Sequence, residues 1–125
     1  MADKRTVVHL TIPQDPAAVQ KLHEEIVKLL TSERYDQRMY DKQKVQEVVW
    51  NDGDGFVEPM RYIKLDYQPG ELIVSAWICT GMIFPKEHSL EGFYGIVPKR
   101  RTQATVNAIA DLVQSFTQGA AQQQS

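Results

Sequence analysis

A chain of 125 residues offers enough surface for one hydrophobic core and too little for two, and its 42% hydrophobic, 24% charged and 9% aromatic content excludes disordered, collagenous and disulfide-scaffolded classes. Fourteen Lys and Arg against sixteen Asp and Glu leave a net charge of -2, so the molecule as a whole attracts neither nucleic acid nor an anionic membrane. Any such partner must use a local patch.

Residues 6–12 are rich in β-branched side chains, and alternation puts Val8, Leu10 and Ile12 on one face of a strand with Val7, His9 and Thr11 on the other. Asp15-Pro16 then supplies a capping carboxylate and a proline at the first helical position, where its missing N–H is not needed. Val19, Leu22, Ile26, Leu29 and Leu30 recur at three- and four-residue steps, which predicts a helix ending near Thr31 with one apolar stripe. Two polar strands are expected over 34–40 and 45–50 as a hairpin. Asn51-Asp-Gly-Asp-Gly55 reads as a loop closed by Pro59. The plainest hairpin follows over 60–67 and 72–79, with Pro69-Gly70 in the central positions of a type II turn. Residues 81–101 read as irregular, with 93–97 offering a short extra strand. A final helix is expected from Thr102 as cap to just before Gly119, and residues 119–125 as a disordered tail outside a single domain of 1–118.

Four sequential strands between two helices favour antiparallel neighbours, with both helices on one sheet face. The expected class is α+β: a sheet of four to five strands, six with 93–97, in the order β-α-β-β-β-β-α, similar in topology to TATA-binding-protein-like and helix-grip folds. Within residues 72–79, Leu72, Val74, Ala76 and Ile78 alternate with Ile73, Ser75, Trp77 and Cys79, so both faces are apolar and the second needs a cover. The returning 81–101 segment, a second protomer or a ligand would supply it. Ile73, Trp77, Phe93 and Tyr94 are therefore the candidate ligand or interface surface.

Thr11-Ile-Pro-Gln-Asp-Pro-Ala17, Trp50-Asn-Asp-Gly-Asp-Gly55, Tyr67-Gln-Pro-Gly70, Ala76-Trp-Ile78 and Gly92-Phe-Tyr-Gly95 together resemble a family of small uncharacterised bacterial domains, some of which sit beside a zinc ribbon. The resemblance spans residues 6–116 and implies no particular activity. With Cys79 as the one cysteine, this chain cannot build such a ribbon.

A lone cysteine also excludes an internal disulfide and fits a reducing compartment, and the start of the chain lacks the apolar run of a signal peptide, so a cytoplasmic protein is expected. No window reaches the roughly 18 apolar residues of a membrane span. His9, His23 and His88 show no metal-ligand spacing, Cys79 lies among alternating apolar residues as a small hydrophobe, and no catalytic set or cofactor motif is apparent. Asp52-Gly-Asp54-Gly55 resembles part of a calcium loop, but that register would place Trp50 and Arg61 where acidic ligands belong, so it reads as a connector. Lys99, Arg100 and Arg101 precede the expected final helix and form a candidate anion site with its N–H groups. An aromatic and basic nucleic-acid platform on the sheet is disfavoured, because alternation sets Arg61 and Tyr67 on the face opposite Tyr62 and Lys64. The expected function is a small non-enzymatic binding or protein-interaction module, with self-association through a sheet face. The alternatives are a small-molecule carrier or enzyme with a pocket between sheet and helices, and anion or nucleic-acid binding through 99–101.

Overall fold

A computed structural model describes residues 5–42, 45–53, 60–80, 86–91 and 96–123. The order is β1 (Thr6–Thr11), α1 (Pro16–Ser32), β2 (Asp36–Lys42), β3 (Val45–Asp52), β4 (Met60–Gln68), β5 (Glu71–Thr80), β6 (Lys86–His88) and α2 (Ile96–Gln123). All pairings are antiparallel. The strands run β1-β5-β4-β3-β2 across the sheet, with β6 also paired to β5. The class is α+β, as the alternation of strand and helix periods predicts.

Local chemistry explains the best-anticipated elements. Asp15 caps α1 by accepting from the Ala18 N–H, and Pro16 opens the helix. Gly70 has φ 75 in the turn between β4 and β5, the left-handed conformation that the third position of a type II turn requires. Leu22, Ile26 and Leu30 of α1 and Val106, Ile109 and Val113 of α2 are buried on one face of the sheet against Ile63, Leu72, Val74 and Ala76.

Two expectations are corrected. The last helix starts at Ile96 rather than Thr102, and Val97, expected in an extra strand, belongs to it. Pro98 falls in its first turn, where no N–H is needed, so a proline and three basic residues that read as loop are helical. Thr102 is no cap; its hydroxyl donates to the Pro98 carbonyl one turn back. The helix also runs through Gly119 to Gln123 instead of stopping before Gly119, and residues 124 and 125 lie outside the described residues. Residues 93–95 lie outside the described residues, and among the described ones a further short strand is β6. It pairs with residues 78–80 of β5, while β1 pairs with residues 71–76, so the two lie end to end along one side of β5.

Candidate functional site

Three places in this frame have the geometry of a site: a polar pocket at the junction of α1 and α2, a charged cluster on the helix-free sheet face, and a groove beside β1.

The pocket begins where α1 ends. The Tyr35 N–H donates to the Leu30 carbonyl at 2.9 Å and the Arg34 N–H to the Thr31 carbonyl at 3.0 Å, a closure that drives the residue after the C-cap into the left-handed region. That residue is usually glycine. Here it is Arg34, at φ 70, the one non-glycine residue with positive φ among those described. Buried Tyr35 anchors the turn beside Leu30, and burial raises the pKa of its hydroxyl, with the Arg61 charge opposing. The Arg61 guanidinium lies over the Tyr35 ring, 5.4 Å from its centroid, and is paired with the Asp52 carboxylate on the neighbouring strand. Arg34 and Arg61 line a cavity of about 420 Å³ together with Arg101 and Thr105 of α2, Ser32, Glu33 and Asp52.

The helix-free face carries the second cluster. Arg5, just before β1, donates to both carboxylate oxygens of Glu47 on β3 at 3.0 Å and to both of Glu87 on β6 at 3.1 and 2.9 Å. Lys64 reaches Glu47 as well, at 2.7 Å. The hydrogen bond from Arg5 is the main reason that Glu47 is held well below the carboxylate range, at about 2; burial opposes it and Lys64 reinforces it. Beneath the guanidinium, Trp77 stacks on Tyr62 with ring centroids 5.4 Å apart, and both belong to a small apolar cluster with Val49 and Cys79.

The third feature lies along β1. The Ile12 N–H bonds the Gly70 carbonyl, toward β5, so alternation turns the main-chain groups of Val7, His9 and Thr11 outward. The Thr117 hydroxyl of α2 already donates to the Thr11 carbonyl. Between strand and helix lies a cavity of about 310 Å³ lined by His9, Leu10, Ala110, Val113 and Thr117 among others. Val7 is exposed.

The residues singled out from sequence are dispersed by this arrangement. Lys99 is buried and its Nζ donates to the Glu91 carbonyl at 2.6 Å, Arg100 is exposed, and Arg101 alone reaches the arginine pocket. Because α2 starts at Ile96, the three lie inside the helix rather than before it. Trp77 is fully buried under Arg5 and Ile73 half-buried, while Phe93 and Tyr94 lie outside the described residues. Asp52 is engaged by Arg61 and by the Gly53 N–H; residues 54 and 55 lie outside the described part. Tyr67 faces the helices and shares a 2.8 Å hydrogen bond with His23, whereas Tyr62 and Lys64 occupy the opposite face, so no aromatic platform is assembled. Cys79 is buried, and among the described residues no group of three or more His, Cys, Asp or Glu is placed to hold a metal ion.

Sequence reading missed Arg5 and Arg34, and it weighed Arg61 only for a nucleic-acid platform and a calcium register. A local signal existed only for Arg34: α1 has to end before a strand, and Ser32-Glu33-Arg34 contains no glycine to do it.

Comparison with protein-family models, curated proteins and solved structures found no match. Among the described residues, no helix is long and apolar enough to cross a membrane.

Proposed function

We propose that the protein is a small non-enzymatic binding module that takes up an extended peptide segment along the outer edge of β1. The observation that carries this reading is the contrast between the two sheet edges. β2, at one edge, presents Asp36 and Arg38, the kind of charge that blocks strand addition. β1, Thr-Val-Val-His-Leu-Thr, has no Lys, Arg, Asp or Glu. Its outward-facing Val7 and His9 main-chain groups offer hydrogen bonds, and the groove against α2 takes an alternate apolar side chain of the added strand, which is how strand addition divides affinity from specificity.

A peptide suits this edge better than a second copy of the chain. With the Thr11 carbonyl already closed by Thr117, only a few main-chain groups remain to pair, whereas a stable dimer buries roughly 800 Å² per partner. A polar-capped peptide of alternating threonine and valine tests the reading, titrated into isotope-labelled protein. Amide shifts and slowed hydrogen exchange at Val7 and His9 are expected. His9→Pro removes an outward donor without touching the ladder to β5, so it should abolish those changes and keep the fold. Unchanged β1 amides at saturating peptide, or a dimer that His9→Pro dissolves and the peptide does not displace, would overturn the peptide reading.

A further inference from the structure

Resting on the strand-addition reading, the geometry points to what the added peptide must carry: an aromatic side chain, phenylalanine or tyrosine, at the residue opposite Leu10, seated in the groove between β1 and α2.

Main-chain register settles which peptide residue meets the groove. The outward main-chain groups of β1 belong to Val7, His9 and Thr11, so a peptide bonded to His9 places its next residue opposite Leu10. Residues directly opposite one another turn their side chains to the same sheet face. Leu10 packs on the helix side, against the core. The peptide side chain opposite it therefore points toward α2, into the cavity that Leu10 and α2 enclose.

The size and lining of that cavity select the side chain. Ala110, Val113, Gln114, Thr117 and Gln118 line it from α2, at the three- and four-residue steps of one helix face. Ala110, half-buried, is the smallest of them, and its lack of bulk opens the wall. An apolar cavity of about 150 Å³ already accommodates benzene, so one of about 310 Å³ is far larger than a valine side chain needs. Val113 is buried and gives the groove an apolar floor, while Gln114 and Gln118 are exposed and give it an amide rim. A ring with an apolar body and one edge near water matches that gradient, and a tyrosine hydroxyl would meet the rim amides. The Thr117 hydroxyl, bonded to the Thr11 carbonyl at 3.3 Å, ties the two walls together. The groove is thus formed before the peptide arrives, and little ordering is left to oppose binding.

Polar-capped peptides of threonine and valine that differ only at the central residue, valine, leucine, phenylalanine or tyrosine, are the probes, titrated into isotope-labelled protein. The phenylalanine and tyrosine peptides should bind about tenfold more tightly than the valine peptide, with leucine between them. Their ring currents should move the Leu10 and Val113 methyl resonances upfield, which the valine peptide leaves in place. Ala110→Leu fills the groove, so it should bring the aromatic peptides down to the affinity of the valine peptide while the shifts at the Val7 and His9 amides persist. Aromatic peptides no tighter than valine or leucine, or an aromatic preference undiminished in Ala110→Leu, would overturn the inference, and the ranking on the parent decides even where the variant folds poorly. Peptides that all shift the Val7 and His9 amides with equal affinity would remove the aromatic anchor alone. Peptides that leave those amides unmoved would remove the strand-addition reading, and the anchor with it.

Discussion

The Arg5 guanidinium sits over the Trp77 ring with Cζ 3.8 Å from the ring centroid. The contact gives the helix-free face a lid made from the residue just before β1, so an indole that would otherwise be a sticky surface becomes interior. The same cation ties β3 to β6 through Glu47 and Glu87, across the two strands that lie between. A cation–π contact on a desolvated ring is worth about 2 kcal/mol, and removing one member of a largely buried ion pair costs more than the pair itself contributed. Arg5→Ala should therefore destabilise the fold by about 2–3 kcal/mol in urea melts, with the Trp77 emission shifting to the red as water reaches the ring. Arg5→Lys keeps the charge but loses the fork, and should recover less than half of that loss.

Acid should reach this cluster through Glu47. Its folded pKa of about 2 lies below the ordinary carboxylate value of 4.5, so the unfolded chain binds the proton more tightly than the native one. The stabilisation is complete above the unfolded value and is lost as pH falls through the folded one. Denaturant midpoints should fall steadily from about pH 4.5 toward pH 2, and Glu47→Gln, weaker at neutral pH, should approach the parent over that interval. Parallel curves for the two proteins would remove Glu47 as the source.

Alkali acts on the other side. Burial pushes the hydroxyls of both Tyr62 and Tyr67 up to about 12, with the Cys79 charge adding to the effect on Tyr62. Both phenols stay neutral in the folded protein after they would ionise in the unfolded one. The stability they contribute is present below pH 10 and lost as pH rises toward 12. Phenolate absorbance should appear late and together with loss of near-ultraviolet dichroism in the parent, while Tyr67→Phe should show a shallower alkaline decline.

Much of the frame was legible in residues 6–80 because local and tertiary preferences agree there. Asp15-Pro16 can hardly do anything but start a helix, and Pro69-Gly70 between two alternating runs specifies its hairpin. The amino end of α2 was hidden because Pro98 and a basic run carry loop statistics, and what holds those residues helical is tertiary: Lys99 is buried against Glu91, and Thr102 is wholly buried. The arginine pocket was hidden for a different reason. Its arginines come from the turn after α1, from β4 and from α2, positions 34, 61 and 101, and no local pattern announces that a helix end, a strand and a second helix converge. Only Arg101 had been marked, and for a helix terminus that lies elsewhere. Arg5 carries no local signal, since its partners at 47 and 87 are brought to it by the sheet alone.

Cys79 offers a probe of global opening. The thiol is buried on the helix-free face with Trp77, Tyr62 and Val49, and its strand pairs on both sides, with β4 and with β6. Reaching it requires that β5 be uncovered, so labelling by an aromatic disulfide reagent should be slow in the native protein and should track the unfolding free energy as urea is added. Arg5→Ala should speed labelling by the factor that its loss of stability predicts. Fast labelling of the parent with no dependence on urea would mean that the lid opens locally, without the sheet.

The turn at Gly70 separates backbone strain from crowding. An added Cβ there would meet the Gln14 side chain no closer than 3.4 Å, an ordinary contact with a flexible group, so space is not the obstacle. The obstacle is φ 75, which an L residue adopts at a cost of about 1–2 kcal/mol. Gly70→Ala should lose about that much in chemical denaturation. Gly70→Asn should lose visibly less, because asparagine tolerates the left-handed region best among non-glycine residues. Because the Ile12 N–H also bonds the Gly70 carbonyl, the turn fixes where β1 enters the sheet. Exchange at the Ile12 amide should therefore quicken in Gly70→Ala more than exchange at Val74 in mid-strand. Equal losses in the alanine and asparagine variants would show that the position is governed by the missing side chain and not by its dihedral angle.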